Sequence, residues 1–205
     1  MTNSSFILPP SSFTERSFED WITCALLAHG PDACGTTNGL GEARPPYGER
    51  PPGGFHRRTS DDYDRALCLV PKDVVDFVVA TQPRAWAKLR QHHGEAVREH
   101  FLKRVADEIG RRGALPVLRE GLKDLGVKFQ LAYFRPASSL NAETARLYQA
   151  NVFTVVRQLH YSLKNANSLD LALFLNGIPL FTAELKNPLT GQSVRDAIRQ
   201  YQTDR

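Results

Sequence analysis

Asp170, Glu184 and Lys186 are the residues whose types and spacing best suit chemistry. They lie in the run SLDLALFLNGIPLFTAELKNP, which reads as two short apolar strands joined at Asn176-Gly177, a pair that marks β-hairpins. Side chains alternate along a strand. In a strand over 179–186, Glu184 and Lys186 share one face and Leu185 takes the other. In a strand over 169–175, Leu169, Leu171, Leu173 and Leu175 share a face and Asp170 takes the opposite one. Hairpin parity then decides whether the acids meet. A two-residue loop pairs Leu175 with Ile178 and sets Asp170 against Ala183, away from Glu184. A three-residue loop over 176–178 pairs Leu175 with Pro179 and sets Asp170 across from Glu184, with Cβ atoms about 5 Å apart. Carboxylates that share a metal therefore require an odd loop or a bulge.

Two adjacent carboxylates repel unless a cation or proton intervenes. A hard divalent ion with oxygen ligands fits, Mg²⁺ first, and the Leu185 carbonyl could add a ligand. Lys186 beside such an ion could position or deprotonate an attacking water and stabilise a charged phosphorane, as metal-assisted phosphodiester cleavage requires. The plain alternative is a half-buried edge hairpin with a surface ion pair. E-x-K alone is weak. An Asp, an Asn-Gly turn and E-x-K within leucine-rich strands is more specific.

These strands need a scaffold. Phe18, Trp21, Ile22, Ala25, Leu26 and His29 fall on one face of a helix over 17–29. Ser17 with Asp20 resembles a capping box at its start. Glu19 lies at the edge of that stripe; its plain reading is an exposed first-turn acid favoured by the helix dipole. From Gly35 to Asp62 the chain is rich in Gly and Pro and reads as an irregular loop. Residues 71–125 are helical in pattern, with starts at Pro71 and Pro83, a long segment over 94–112, and terminators at Gly113 and Gly126. Val127–Phe134 and Asn151–Leu163 read as strands and Asn141–Gln149 as a short helix. Ser193 and Asp196 resemble a second capping box, before a helix from about 194 with Val194, Ala197, Ile198 and Tyr201 as its apolar stripe. Gln200 and Asp204, four apart, lie along the edge of that stripe. Arg195 and Arg199 point away from it, toward solvent or backbone phosphate. The expected fold class is α/β (α+β), a mixed sheet flanked by helices.

The bulk numbers bound the function classes. The 205 residues suffice for one good core, and no apolar run approaches the roughly 20 residues a membrane span needs. The start MTNSSFILPPSS lacks a basic segment and a long apolar one, unlike a secretory signal. A cytoplasmic protein with reduced thiols at Cys24, Cys34 and Cys68 is expected. Cys24, His29 and Cys34 match no common zinc spacing. The net charge is +4, but between Arg84 and Arg135 twelve Lys and Arg face six acids. That excess permits a polyanionic partner, though a solvated helical face explains it equally well.

The stretch SLDLALFLNGIPLFTAELKNPLTGQSVRDAIRQYQTDR resembles the N-terminal nuclease domain of the motor (restriction) subunit of type I restriction-modification enzymes. The resemblance extends through LKDLGVKFQLAYFRPASSLN and to the opening helix with Phe18-Glu19. It implies a PD-(D/E)xK, restriction-endonuclease-like core over 1–34 and 127–205, with 35–70 a Gly/Pro-rich loop and 71–126 an inserted helical subdomain. It assigns Asp170, Glu184 and Lys186 to the catalytic positions. Asp170, Glu184 and the Leu185 carbonyl would hold Mg²⁺, with Glu19 as the helix acid near the metal. Such subunits carry Gln-x-x-x-Tyr after the E-x-K strand. Here Gln200 is followed four residues on by Asp204, and the tyrosine stands at 201. The implied partners are double-stranded DNA and the methylase and specificity subunits. ATP would act only through helicase-like motor domains. Nothing here matches G-x-x-x-x-G-K-[ST] and the chain stops in mid-helix at YQTDR, so a fragment truncated before those domains is expected. Two other readings stay open: a catalytically silent DNA-binding or assembly module with the same fold, and a solitary, toxin-like nuclease.

Overall fold

The computed structural model describes residues 14–28, 55–137, 141–186 and 193–203. A helix begins where a side chain can satisfy its first free N–H groups. Helix α1 (Glu15–Ala28) begins two residues before the expected start, because Thr14 and not Ser17 caps it. The Ser17 N–H donates to Thr14 Oγ1 at 3.2 Å, and the Thr14 N–H to Ser17 Oγ at 2.8 Å. Asp20, expected in a box with Ser17, pairs instead with Arg157. The buried residues of α1 are Glu19 and Thr23, not the aromatic stripe. Phe18 stacks on an exposed Trp21 with centroids 6.3 Å apart. His29 and Cys34 lie outside the described residues, and Cys24 is exposed with a free thiol.

The expected irregular loop over 35–62 needs correction at its end. Phe55–Arg58 forms strand β1, and Ser60–Asp62 a 3-10 turn. FHRR has no polar–apolar alternation, and its partner lies about a hundred residues away, so no local signal announced it. Pro71 and Pro83 then open α2 (Pro71–Thr81) and α3 (Pro83–His93), as suits a residue lacking an N–H. Helices α4 (Val97–Arg112) and α5 (Ala114–Glu120) follow, with Gly113 between them. Gly126 terminates no helix. With Leu125 it takes positive φ in the two-residue turn between β2 (Leu122–Asp124) and β3 (Val127–Phe129). The strand expected over 127–134 therefore ends at Phe129. Asn141 caps α6 (Ala142–Gln149), accepting from the N–H groups of Glu143 and Thr144.

Strands β4 (Phe153–His160), β5 (Ser168–Leu175) and β6 (Ile178–Ala183) complete a four-stranded sheet in the order β1-β4-β5-β6. Strand β1 runs parallel to β4, and the other neighbours are antiparallel. Helix α7 (Val194–Thr203) follows. The fold is α+β, with this mixed sheet and the small β2–β3 hairpin among helices. Helix α1 packs on β1 and β4. One core cluster gathers Val74, Phe77, Leu89, Phe101, Val105 and Leu118 of the helices with Phe129, Leu131 and Ile178. A second joins Val70, Val156, Leu159, Ala172 and Phe174. Asp73 ties α2 to the sheet, accepting from Arg58 Nη2 and Thr154 Oγ1, each at 2.7 Å.

The positive charge of the middle region is partly spent internally. The Glu108 carboxylate is buried and takes Arg104 at 2.9 Å and Arg111 and Arg112 at 2.7 Å. The hydrogen bond from Arg111, reinforced by Arg112 and the nearby Arg104, outweighs burial and holds its pKa below the usual carboxylate range. Glu108→Ala would leave these guanidinium groups facing one another. It is expected to cost about 2 kcal/mol, read from urea unfolding.

Candidate active site

The β5–β6 hairpin turns at Asn176 (φ 52°) and Gly177 (φ 78°), and Leu175 pairs with Ile178. This is the two-residue loop, which alone would part the acids. Two residues further on the register shifts. Phe174 pairs with Pro179 but Leu173 with Phe181, so Leu180 is an extra residue in a β-bulge. Beyond it Ala172 faces Thr182 and Leu171 faces Ala183. The ladder ends there, and so does β6, so the expected strand over 179–186 stops three residues early. Asp170 and Glu184 are the next residues along each chain. The change of parity that the acids require is thus supplied by a bulge and not by an odd loop. Leu180 and Phe181 are both exposed, as expected where two residues oppose one.

Asp170 is held from two sides. Its Oδ2 accepts the Leu185 N–H at 2.7 Å, and its Oδ1 accepts Gln158 Nε2 at 3.2 Å. Leu185 thus holds Asp170 through its N–H. The Glu184 side chain is 4% exposed, with Oε1 3.4 Å from Lys186 Nζ. Asp170 and Glu184 against Lys186 leave one net negative charge, which favours a cation.

Glu19 is not an exposed first-turn acid: it is 4% exposed and faces β4. Its Oε2 accepts from Arg157 Nη2 at 3.0 Å and Nε at 3.2 Å, and its Oε1 from Gln158 Nε2 at 2.8 Å. Burial draws the Arg157 guanidinium pKa down, but its bonds to Glu19 and Asp20 prevail and hold it above its ordinary value. The same Gln158 amide nitrogen therefore stands between Glu19 and Asp170. Sequence reading passed over Arg157 and Gln158. The sole hint was two consecutive long polar residues interrupting the apolar run NVFTVVRQLHYSL.

The other expected site residues lie on α7. Arg195 and Arg199 are exposed and Gln200 is half-buried. The Tyr201 hydroxyl donates to Thr182 Oγ1 at 3.2 Å. Tyr201 thus ties α7 to β6 two residues before Glu184. The expected Ser193–Asp196 contact forms: the Asp196 carboxylate accepts the Ser193 N–H at 2.7 Å and hydroxyl at 2.8 Å. These bonds, the hydroxyl's first, lower the Asp196 pKa. The α7 apolar stripe is not covered, with Val194 and Ile198 exposed among the described residues. Asp204 lies outside them.

Among the described residues no group of three His, Cys, Asp or Glu side chains converges on a metal position. Asp170 and Glu184 offer two carboxylates, and that donor set suits Mg²⁺, which binds through one or two carboxylates and keeps several waters. Among the described residues no helix is long and apolar enough to cross a membrane.

Residues 88–205, more than half of the chain, match the family model for the type I restriction enzyme R protein N terminus. The match contains the hairpin and α7; α1 and Glu19 lie outside it. Comparisons with curated proteins and with solved structures gave no match. Strands β4 to β6 with Asp170, the Glu184–Lys186 segment after them and α7 all fall within the match: the chain belongs to the type I restriction enzyme R protein N-terminal family.

Proposed function

We propose that this chain is the endonuclease part of a type I restriction enzyme R subunit, hydrolysing DNA phosphodiester bonds with Mg²⁺. The observation that carries the reading is the Leu180 bulge, which shifts the β5–β6 register by the one residue needed for Asp170 and Glu184 to share a cation, with Lys186 beside Glu184. A bound Mg²⁺ would activate water and neutralise phosphoryl charge. Asp170 and Glu184 would hold it, with the Leu185 carbonyl as a further oxygen. The Leu185 N–H keeps the Asp170 carboxylate oriented. Lys186 holds its ammonium where it can meet an attacking water and the charge growing on phosphate oxygens. Glu19 supports the arrangement from α1, and Arg195, Arg199, Gln200 and Tyr201 supply contacts along the DNA path. Cutting is non-specific in sequence. Recognition belongs to the specificity subunit, modification to the methylase subunit, and ATP-driven translocation to motor domains of the full-length R subunit. The nuclease core is formed by the 1–34 and 127–205 parts together with strand β1, with 71–126 as a helical addition, and the complex works in the cytoplasm.

The test is cleavage of plasmid DNA by the assembled complex. Chelation by EDTA is expected to stop cutting and added Mg²⁺ to restore it, while Glu184→Ala or Lys186→Ala abolishes it with Mg²⁺ present. Variants that all cut like wild type would overturn the assignment. A second reading, a DNA-binding or assembly module without catalysis, draws on the lack of a three-ligand cluster among the described residues. Mn²⁺ titration of this chain separates the two. The binding module predicts no metal affinity that depends on Asp170.

A further inference from the structure

Adjacent residues of a strand point to opposite faces, yet Arg157 and Gln158 of β4 both reach Glu19 on α1. Gln158 makes this possible. Its φ is 46°, a left-handed conformation uncommon and strained for a residue other than glycine. The pairs Arg157–Leu171 and Leu159–Leu169 flank it, so Gln158 stands opposite Asp170 on the neighbouring strand. Its carboxamide is fully used. Nε2 donates to Glu19 Oε1 at 2.8 Å and to Asp170 Oδ1 at 3.2 Å, and Oε1 accepts from Ser168 Oγ at 3.1 Å. The amide orientation is forced chemically, since an amide oxygen facing two carboxylates would find no donor. Strain of this kind persists where the surroundings fix it. Here it turns a side chain that touches both acids toward them.

We propose that Gln158 is a positioning residue for the cation site. Its amide links the buried Glu19 carboxylate to Asp170 and, with the Leu185 N–H on the other oxygen, fixes the plane in which Asp170 presents its free lone pairs. This rests on the nuclease reading above. Partners of metal-ligating carboxylates in this position typically change metal affinity by about 10–100-fold.

The experiment uses the 205-residue chain and Mn²⁺ alone, titrated calorimetrically, with the melting temperature measured in parallel. Gln158→Gly removes the amide and accepts the left-handed backbone without strain. It is expected to melt close to wild type yet bind Mn²⁺ at least about tenfold more weakly. Should it fail to fold, Gln158→Asn serves, since asparagine tolerates this backbone and its shorter arm cannot bridge both acids. Mn²⁺ affinity equal to wild type in the folded variant overturns the proposal. Asp170→Asn is the control. If it loses binding while Gln158→Gly does not, the Gln158 role alone is wrong. If Asp170→Asn binds like wild type, or wild type binds no Mn²⁺, the cation site and the Gln158 role fall together.

Discussion

Asp170→Asn in the assembled enzyme is expected to reduce DNA cleavage by on the order of 10³-fold or more while leaving the fold intact. The substitution is nearly isosteric. An asparagine oxygen can still accept the Leu185 N–H that Asp170 accepts at 2.7 Å. What disappears is the negative charge. Glu184 is then the remaining carboxylate of the pair, already 3.4 Å from the Lys186 ammonium, and that ion pair is close to neutral overall. A cation would have to compete with Lys186 for a single acid. Plasmid cleavage and Mn²⁺ calorimetry on the same preparation check both halves of the argument: cutting and metal affinity should fall together, with the melting temperature held. A variant that cuts at the wild-type rate would remove Asp170 from the site.

Gly177→Ala is expected to cost about 4 kcal/mol or more, among the severe effects of single substitutions. A Cβ at this position would lie 2.5 Å from the Val70 carbonyl oxygen, 2.6 Å from Val74 Cγ2 and 2.8 Å from the Val74 N. Two of these are backbone atoms at the start of α2, and the third belongs to a fully packed valine. The φ of 78° adds strain for any side chain. The neighbouring Asn176 makes retreat harder. It is buried, donates to the Leu131 carbonyl at 2.8 Å, and accepts the Val152 N–H at 2.6 Å. Asn151 joins this network at 3.0 Å and pairs with Tyr133. The turn is therefore locked from both sides, and moving it would break several buried hydrogen bonds, each costly to leave unmade. Chemical denaturation followed by tryptophan fluorescence measures the loss, and a cost under about 1 kcal/mol would show that the turn can shift.

Much of this was legible in the residues. Pro71 and Pro83, as residues without an N–H, and Ser193, through capping, announced helix starts by chemistry that acts within three or four positions. The Asn176-Gly177 turn and its flanking strands were equally local. Parity arithmetic reduced the meeting of the acids to one structural condition, an odd loop or a bulge, but could not choose, because bulges follow from packing. Here Ile178 and Gly177 are committed to the α2 side, and β6 absorbs the surplus at exposed Leu180. The failures share a cause. Strand β1 exists because β4 offers an edge. The α1 register was misread because its buried face is polar, with Glu19 paired to Arg157. Gln158 escaped notice because a backbone torsion, invisible in sequence, decides where its side chain goes.

Strand β6 carries one residue more than its pairing needs. Remove Leu180 on paper and every remaining partner, from Leu173 with Phe181 to Leu171 with Ala183, is unchanged. Chain length and strand register are thereby uncoupled in this hairpin. A chain one residue shorter at this point would keep the same strand partners. Counting residues back from the turn is then a poor guide to which carboxylate belongs to the centre.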